Sequence, residues 1–73
     1  MERITSKPGL SGGKPTIRGM RIRVTDVLDL LSDGISTEEI LANELPDLEK
    51  EDILACLKYA SQKLNYPVVH AAI

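Results

Sequence analysis

The sequence predicts a mainly α protein with a short N-terminal β-hairpin and three helices that resemble a helix-turn-helix core. Two runs rich in Ile, Val and Thr, at 15–18 and 21–24, flank Gly19-Met20, and a type II′ turn requires glycine at its first central position. From residue 25 onward, apolar residues recur at helical spacing in three stretches joined by short connections. We therefore predict one domain with a hairpin arm (1–24), a three-helix core (25–65) and a tail (66–73).

The predicted hairpin has two chemically different faces. If Arg18 and Arg21 close the turn, Ile17 lies opposite Ile22, and side chains alternate between the faces along each strand. The apolar face then carries Ile17, Ile22 and Val24, and the polar face carries Thr16, Arg18, Arg21 and Arg23. A row of guanidiniums suits phosphates or carboxylates, although a solvated outer face is the alternative. The apolar face must be buried against the core of the chain or against a second subunit.

Charge is distributed unevenly along the chain, whose formal net charge is −2. Residues 1–25 hold six basic side chains and one acidic one, whereas residues 26–73 hold three basic and ten acidic ones. This asymmetry indicates a basic arm on an acidic body. The candidate DNA-binding or partner-binding residues are Lys14, Arg18, Arg21 and Arg23. The candidate dimer interface consists of Ile17, Ile22 and Val24, because a chain this small often needs oligomerisation to complete its core.

The first two helices have recognisable end signals. Thr25 is a candidate cap for a helix whose apolar face contains Val27 and Leu31, and Gly34 stands where a helix C′ residue is expected. The second helix is predicted over Thr37–Asn43. It begins with a capping box formed by Ser36 and a glutamate three residues later, and it ends before Pro46.

The third helix is predicted over Lys50–Leu64. Its cap position falls at Glu49, or alternatively at Asp47, with Asp52 placed to reach back to the cap. A recognition helix presents its N-terminal residues to bases, but this one begins with Glu49, Lys50, Glu51 and Asp52. Carboxylates at that end would repel phosphates. If DNA is bound, the arginine face of the hairpin is therefore the better candidate surface.

Several classes of function are not expected from this sequence. Gly12-Gly13-Lys14 lacks the spacing of a phosphate-binding loop. One cysteine excludes an internal disulfide, and one cysteine with one histidine cannot form a structural zinc site. Cys56 is expected to be a core residue, and His70 in the apolar tail has no readable catalytic partner. We therefore expect no enzyme and no cofactor.

The expected location is the cytoplasm. No apolar run approaches the length of a membrane span, which is about 20 residues. The first residues, Met1-Glu2-Arg3-Ile4, lack the apolar core of a signal peptide.

Two segments of the chain resemble a known family. GGKPTIRGMRIRV, followed by DLLSDGISTEEILANELPDLEKEDILACLKYA, is similar to the domain of unknown function 433 family, with its GKPxIRGTRI signature. The resemblance covers about residues 4–60. It places signature positions on Gly13, Lys14, Pro15, Ile17, Arg18, Gly19, Arg21, Ile22, Gly34, Glu39, Ile40, Pro46, Leu48, Asp52 and Ile53. Met20 departs from the usual threonine, and Glu49 departs from the common serine or threonine cap.

The resemblance implies a fold and a function. The fold would be a small winged or homeodomain-like helix-turn-helix, and the assembly a homodimer to which the N-terminal strands contribute. Some members are antitoxins of the VapB type. The first expectation is therefore a small dimeric antitoxin-like protein that neutralises a PIN-like ribonuclease toxin, with operator DNA as a further candidate ligand. The alternative is a protein–protein interaction module of unknown role that binds no nucleic acid.

Overall fold

The computed structural model describes residues 2–64. The predicted helix end at 65–67 and the predicted tail, with His70, lie outside the described residues. The elements in chain order are β1 (Ile4–Thr5), a 3-10 turn (Ser11–Gly13), β2 (Thr16–Ile17), α1 (Val24–Ser32), α2 (Thr37–Glu39), a π-helical segment (Ile40–Glu44) and α3 (Lys50–Leu64). The prediction of a mainly α domain with three helices and a short N-terminal sheet is confirmed.

The small sheet is formed by β1 and β2, whereas the predicted second hairpin strand at 21–24 is reduced to a single bridge. β1 runs antiparallel to β2, with Ile4 opposite Ile17 and Thr5 opposite Thr16. Thr16 also forms a bridge with Arg23, and the Ile17 N–H donates to the Ile22 carbonyl at 2.9 Å. The predicted hairpin register is therefore correct.

The hairpin turn differs from the prediction by one residue. The Met20 N–H donates to the Ile17 carbonyl at 2.8 Å, so the two central residues are Arg18 and Gly19 instead of Gly19 and Met20. Both have positive φ, 49° and 74°, which is the signature of a type I′ turn. Arg18 therefore lies in the turn instead of on a strand, and the continuous arginine face that we predicted is not formed.

Helix α1 begins two residues earlier than a Thr25 cap requires, so that prediction is wrong. The Asp26 carboxylate accepts the Arg23 backbone N–H at 2.8 Å, and this fixes Arg23 as the capping residue. The predicted end at Gly34 is confirmed, with a φ of 87°. The Gly34 N–H donates to the Leu31 carbonyl and the Ile35 N–H to the Leu30 carbonyl, which is a Schellman motif.

The second helix is mostly π-helical, which the sequence did not predict. Ser36 caps it as expected, because its hydroxyl accepts the Glu39 N–H at 3.1 Å. The Glu39 carboxylate accepts from the Asn43 side-chain amide at 2.6 Å. The Leu45 N–H donates to the Ile40 carbonyl at 2.7 Å, and this five-residue spacing defines a π turn.

The core lies between the sheet, α1 and α3. Its buried apolar residues are Ile17, Val24, Val27, Ile40, Leu48, Ile53, Cys56, Leu57 and Ala60. Cys56 is fully buried, so the prediction that this cysteine is a small core residue is confirmed. Burial, together with the nearby Asp52 carboxylate, raises the pKa of its thiol to about 12. Within residues 2–64, no helix combines the length and apolarity that crossing a membrane would need.

Candidate functional site

A buried carboxylate stands at the centre of the most connected polar cluster in the described chain. Asp52 lies in the first turn of α3, and its side chain is fully buried. Its Oδ1 atom accepts hydrogen bonds from Arg3 Nη1 at 2.8 Å and from Arg18 Nε at 3.1 Å. Its Oδ2 atom accepts from Arg18 Nη2 and from the Glu49 backbone N–H, both at 2.8 Å. We call Arg3, Arg18, Glu49 and Asp52 the Asp52 cluster.

Three separate pieces of local structure deliver these groups. Arg3 immediately precedes β1, and its carbonyl accepts the Arg18 N–H at 2.7 Å, so the two arginines are held side by side. The positive φ of Arg18 belongs to a turn conformation that non-glycine residues adopt uncommonly. Asp52 occupies the N3 position of α3, from which a carboxylate can accept the N–H of the capping residue Glu49.

The cluster extends to the surface through its rim. Arg3 Nη1 also contacts Glu49 Oε1 at 2.8 Å, and Arg18 Nη2 donates to the Asp47 carbonyl at 3.1 Å. The side chains of Arg3 and Arg18 remain 30 % and 28 % exposed. The cluster therefore consists of a carboxylate that is shielded from solvent and two guanidinium groups that remain partly exposed to solvent.

The ionised forms of Asp52, Arg3 and Arg18 are all favoured by their mutual contacts. Burial by itself disfavours a charged Asp52, but hydrogen bonds from Arg18, the Glu49 N–H and Arg3 outweigh it and hold the pKa of this carboxyl below its ordinary value. The pKa of Arg3 is raised by its hydrogen bonds to Glu49 and Asp52. The pKa of Arg18 is raised by its hydrogen bonds to Asp52.

The cluster is built to hold structure rather than to transfer protons. A carboxylate offers about four lone-pair positions, and the four hydrogen bonds to Asp52 occupy them. A general base needs a free lone pair within reach of a substrate proton, which Asp52 lacks. Among the described residues, no group of His, Cys, Asp and Glu side chains is placed to hold a metal ion.

The structure separates the four residues that we predicted would contact DNA or a partner. Arg18 is bound to Asp52, and Arg23 Nη2 contacts Asp26 Oδ1 at 3.3 Å within its own helix start. Lys14 and Arg21 are exposed. Lys14 and Arg21 are therefore the exposed cations of the predicted set, whereas Arg23 is 43 % exposed and has one contact with a partly exposed carboxylate.

The predicted dimer-interface residues are largely used within the chain itself. Ile17 is fully buried and Val24 is 4 % exposed, and Val24 belongs to α1 instead of the hairpin. Ile22 is half-buried and packs against the same core. The sequence left open whether these apolar residues pack against the core of the chain or against a second subunit. Their burial supports packing against the core of the same chain.

Sequence reasoning missed two features of the Asp52 cluster. Arg3 was outside the candidate set because nothing in its local pattern indicates a distant carboxylate. Asp52 was recognised as a reach-back group for Glu49, and that contact is confirmed, but its ion pairs were not predicted. The available signals for these ion pairs were two arginines near the N-terminus and a carboxylate at the N3 position of a buried helix start.

The comparisons with known proteins concern the chain that carries this cluster. The model of the family described as "Protein of unknown function (DUF433)" matches residues 4–60. The chain belongs to the DUF433 family. A search of curated proteins gave no significant match. The chain is also similar to the crystal structure of a DUF433 member protein from Anabaena variabilis. The identity is 30 %, the TM-score is 0.81, and the match covers 99 % of this chain and 69 % of the other.

The Asp52 cluster joins two separate parts of the DUF433 pattern. Arg18 and Asp52 are both positions to which the family resemblance assigns signature residues, and they lie 34 residues apart in the chain. Their bidentate ion pair ties the hairpin to the start of α3. In this DUF433 chain, two signature positions thus have a structural explanation.

Proposed function

We propose that this DUF433 protein is a protein-binding module whose hairpin serves the fold instead of nucleic-acid recognition. The observation that carries the proposal is the engagement of Arg18 by Asp52 through two hydrogen bonds, 3.1 and 2.8 Å long. A guanidinium that is bidentately bound to a buried carboxylate cannot turn toward a phosphate without giving up both of its hydrogen bonds to that carboxylate, which would then keep only Arg3 and the Glu49 N–H. A hydrogen bond to a charged group contributes about 1.5–3 kcal/mol.

The start of α3 supports the same proposal. A recognition helix uses its first turn to contact bases in the major groove, whereas in this chain the side chain at N3, Asp52, is buried under two arginines. The exposed residues at that end are Glu49, Lys50 and Glu51. Two carboxylates and one ammonium group would face the DNA backbone, which is unfavourable.

The specific form of the proposal is an antitoxin-like protein. The family resemblance implies a partner of the PIN-like ribonuclease class, which this chain would neutralise by binding, acting as a homodimer and without catalysis of its own. Operator binding through the hairpin is not part of the proposal, because Arg18 in the hairpin turn is engaged by the buried Asp52.

Co-expression with the product of the neighbouring reading frame tests the partner. The tagged chain should co-purify with that product and suppress its ribonuclease activity, and sedimentation should find a dimer. If neither co-purification nor suppression is observed, the antitoxin form is wrong.

A DNA titration tests the exclusion of nucleic acid. The chain and the variants Lys14→Ala and Arg21→Ala, which alter the two exposed cations of the predicted set, would be titrated with the duplex upstream of the gene. We expect only weak, salt-sensitive binding with no preference for that duplex. Tight binding that either variant abolishes would contradict the proposal and restore the hairpin as a DNA-binding surface.

A further inference from the structure

An apolar groove lies on the side of the domain where α1, α3 and the loop before β2 meet. It has a volume of about 280 Å³. The residues that line it are Lys14, Pro15, Val24, Thr25, Leu28, Tyr59, Ala60, Lys63 and Leu64. Seven of these nine are uncharged, and most of those are apolar. The groove therefore presents a surface that water solvates poorly, next to a small number of polar groups.

Among the described residues that line the groove, the charged side chains are both lysines. Lys14 comes from the loop before β2 and Lys63 from the last turn of α3, and no acidic residue is among the described residues of its lining. Lys63 Nζ lies 5.4 Å from the centre of the Tyr59 ring. This distance is within the range of a cation–π interaction, which favours a position of the Lys63 ammonium group at the rim of the groove. A purely cationic rim is distinctive in a chain with a net charge of −2.

The groove also carries the more exposed of the two large apolar side chains that α3 leaves in solvent. Leu64 is 67 % exposed, compared with 47 % for Leu54. Leu54 lines a different depression, whose charged residues are Glu38 and Lys50 and therefore of opposite sign. Of these two depressions, the groove beside Leu64 is the one that combines apolar surface with charged groups of a single sign.

We propose that this groove binds an amphipathic segment of a partner protein, with an apolar anchor that is flanked by carboxylates. Charge complementarity selects the flanking groups, because two ammonium groups at the rim favour carboxylates and repel cations. The apolar lining selects the anchor, as in other helix-in-groove complexes. This inference rests on the proposed protein-binding function and names the chemistry of its partner.

Nucleic acid is the less favoured occupant of the same groove. Phosphate groups would be attracted to Lys14 and Lys63, but a backbone of phosphates and sugars would leave the apolar lining without a matching surface. Two lysines would neutralise few phosphates, whereas specific DNA-binding proteins make many such contacts. A protein segment satisfies both the lysines and the apolar surface.

Two designed peptides test the proposal with the full chain. Each is a helix of about 16 residues, long enough to be marginally stable in water, with the same leucine anchors. One carries glutamates beside the anchors, and the other carries lysines at the same positions. We expect the acidic peptide to bind at least tenfold more tightly and to shift the backbone amide resonances of Tyr59, Ala60 and Leu64.

Groove variants and matched controls then locate the binding. The double variant Lys14→Glu with Lys63→Glu should reverse the preference between the peptides, and Leu64→Ser should weaken the acidic peptide at least fivefold. The matched controls are Lys50→Glu and Leu54→Ser, which make the same chemical changes on α3 beside the other depression. The controls should leave the affinity within twofold of the parent chain. Circular dichroism of each variant confirms that it is folded.

Several results would overturn the proposal. They are the absence of binding by the acidic peptide, equal affinity for both peptides, or losses in the control variants as large as those in the groove variants. Resonance shifts in the same residues on addition of a DNA duplex, but not of the acidic peptide, would assign the groove to nucleic acid. If Leu64→Ser converts a dimer into a monomer, a second copy occupies the groove. Contacts from residues 65–73 to Leu28 or Ala60 would instead assign it to the same chain.

Failure of this inference is distinguishable from failure of the proposed function. If the product of the neighbouring reading frame co-purifies equally well with the parent chain and with the groove variants, protein binding stands and the groove is not its site.

Discussion

Arg18 and Asp52 form a bidentate ion pair, with Nε 3.1 Å from Oδ1 and Nη2 2.8 Å from Oδ2. The pair connects the tip of the N-terminal hairpin to the first turn of α3. Because Asp52 is fully buried, its charge must be balanced inside the protein, and Arg18 and Arg3 provide the balance. The hairpin is thereby attached to the helical core by its own arginines.

Replacement of Asp52 by asparagine should destabilise the protein strongly. The carboxamide cannot accept all four hydrogen bonds, and two guanidiniums lose their buried counter-charge. We expect a loss of about 3 kcal/mol in the free energy of unfolding, measured by urea denaturation. The matched control Asp33→Asn changes an exposed carboxylate and should cost less than about 0.5 kcal/mol. Similar losses in both variants would contradict a special role for Asp52.

The stability of the protein should depend on pH through the ionisation of Asp52. Its pKa is lower in the folded chain than in the unfolded chain, so unfolding takes up a proton as the pH falls. The stability from this group is fully present above the unfolded pKa of about 3.9 and is lost as the pH falls through the folded pKa. Urea denaturation from neutral pH to pH 3 should show a steeper decline for the parent chain than for Asp52→Asn. Parallel curves would contradict this assignment.

Cys56 should be unreactive while the protein is folded. Its thiol is buried and its pKa is raised to about 12, so almost no thiolate exists at pH 8. Labelling with iodoacetamide should therefore require unfolding, and its rate should rise with urea in parallel with the unfolded fraction. Rapid labelling without urea would mean that the helix opens locally around this residue.

Gly34 should be sensitive to a side chain because of its backbone conformation alone. Its φ is 87°, and an added Cβ would meet no heavy atom within 4 Å. Gly34→Ala should therefore cost about 1 kcal/mol, the penalty of a left-handed conformation in an L residue. The Tm of this variant should lie between the Tm of the parent chain and the Tm of Asp52→Asn. An unchanged Tm would show that the helix end adjusts without cost.

Local signals predicted most of the helix ends, but neither the Arg23 cap and the π-helical segment nor the long-range ion pairs. Gly34, Ser36 and the reach of Asp52 back to Glu49 all act within a few residues, so the sequence pattern contains the whole interaction. The hairpin register followed from strand alternation for the same reason. The one-residue error at Arg18 arose because the turn type depends on φ at two positions, and arginine is not a usual residue at positive φ.

Of the Asp52 cluster, the sequence predicted Arg18 as a binding residue and the contact of Asp52 with Glu49, but not the ion pairs that connect them. The sequence indicated that the hairpin arginines suit anionic partners or a solvated face, but it could not show that Asp52, 34 residues away, is the partner of Arg18. The continuous arginine face depended on placing Arg18 on a strand. Once Arg18 lies in the turn, the surface available to a partner is better described by Lys14, Lys63 and the apolar groove between them.

A double-mutant cycle between Arg18 and Asp52 tests the central claim most directly. The variants Arg18→Met, Asp52→Asn and their combination would be compared with the parent chain by urea denaturation. If the hairpin arginine serves the fold through this carboxylate, the double variant should be less destabilised than the sum of the single variants by about 1.5 kcal/mol or more. Additivity within about 0.5 kcal/mol would mean that the two residues act independently, and Arg18 would again be a candidate for contact with a ligand.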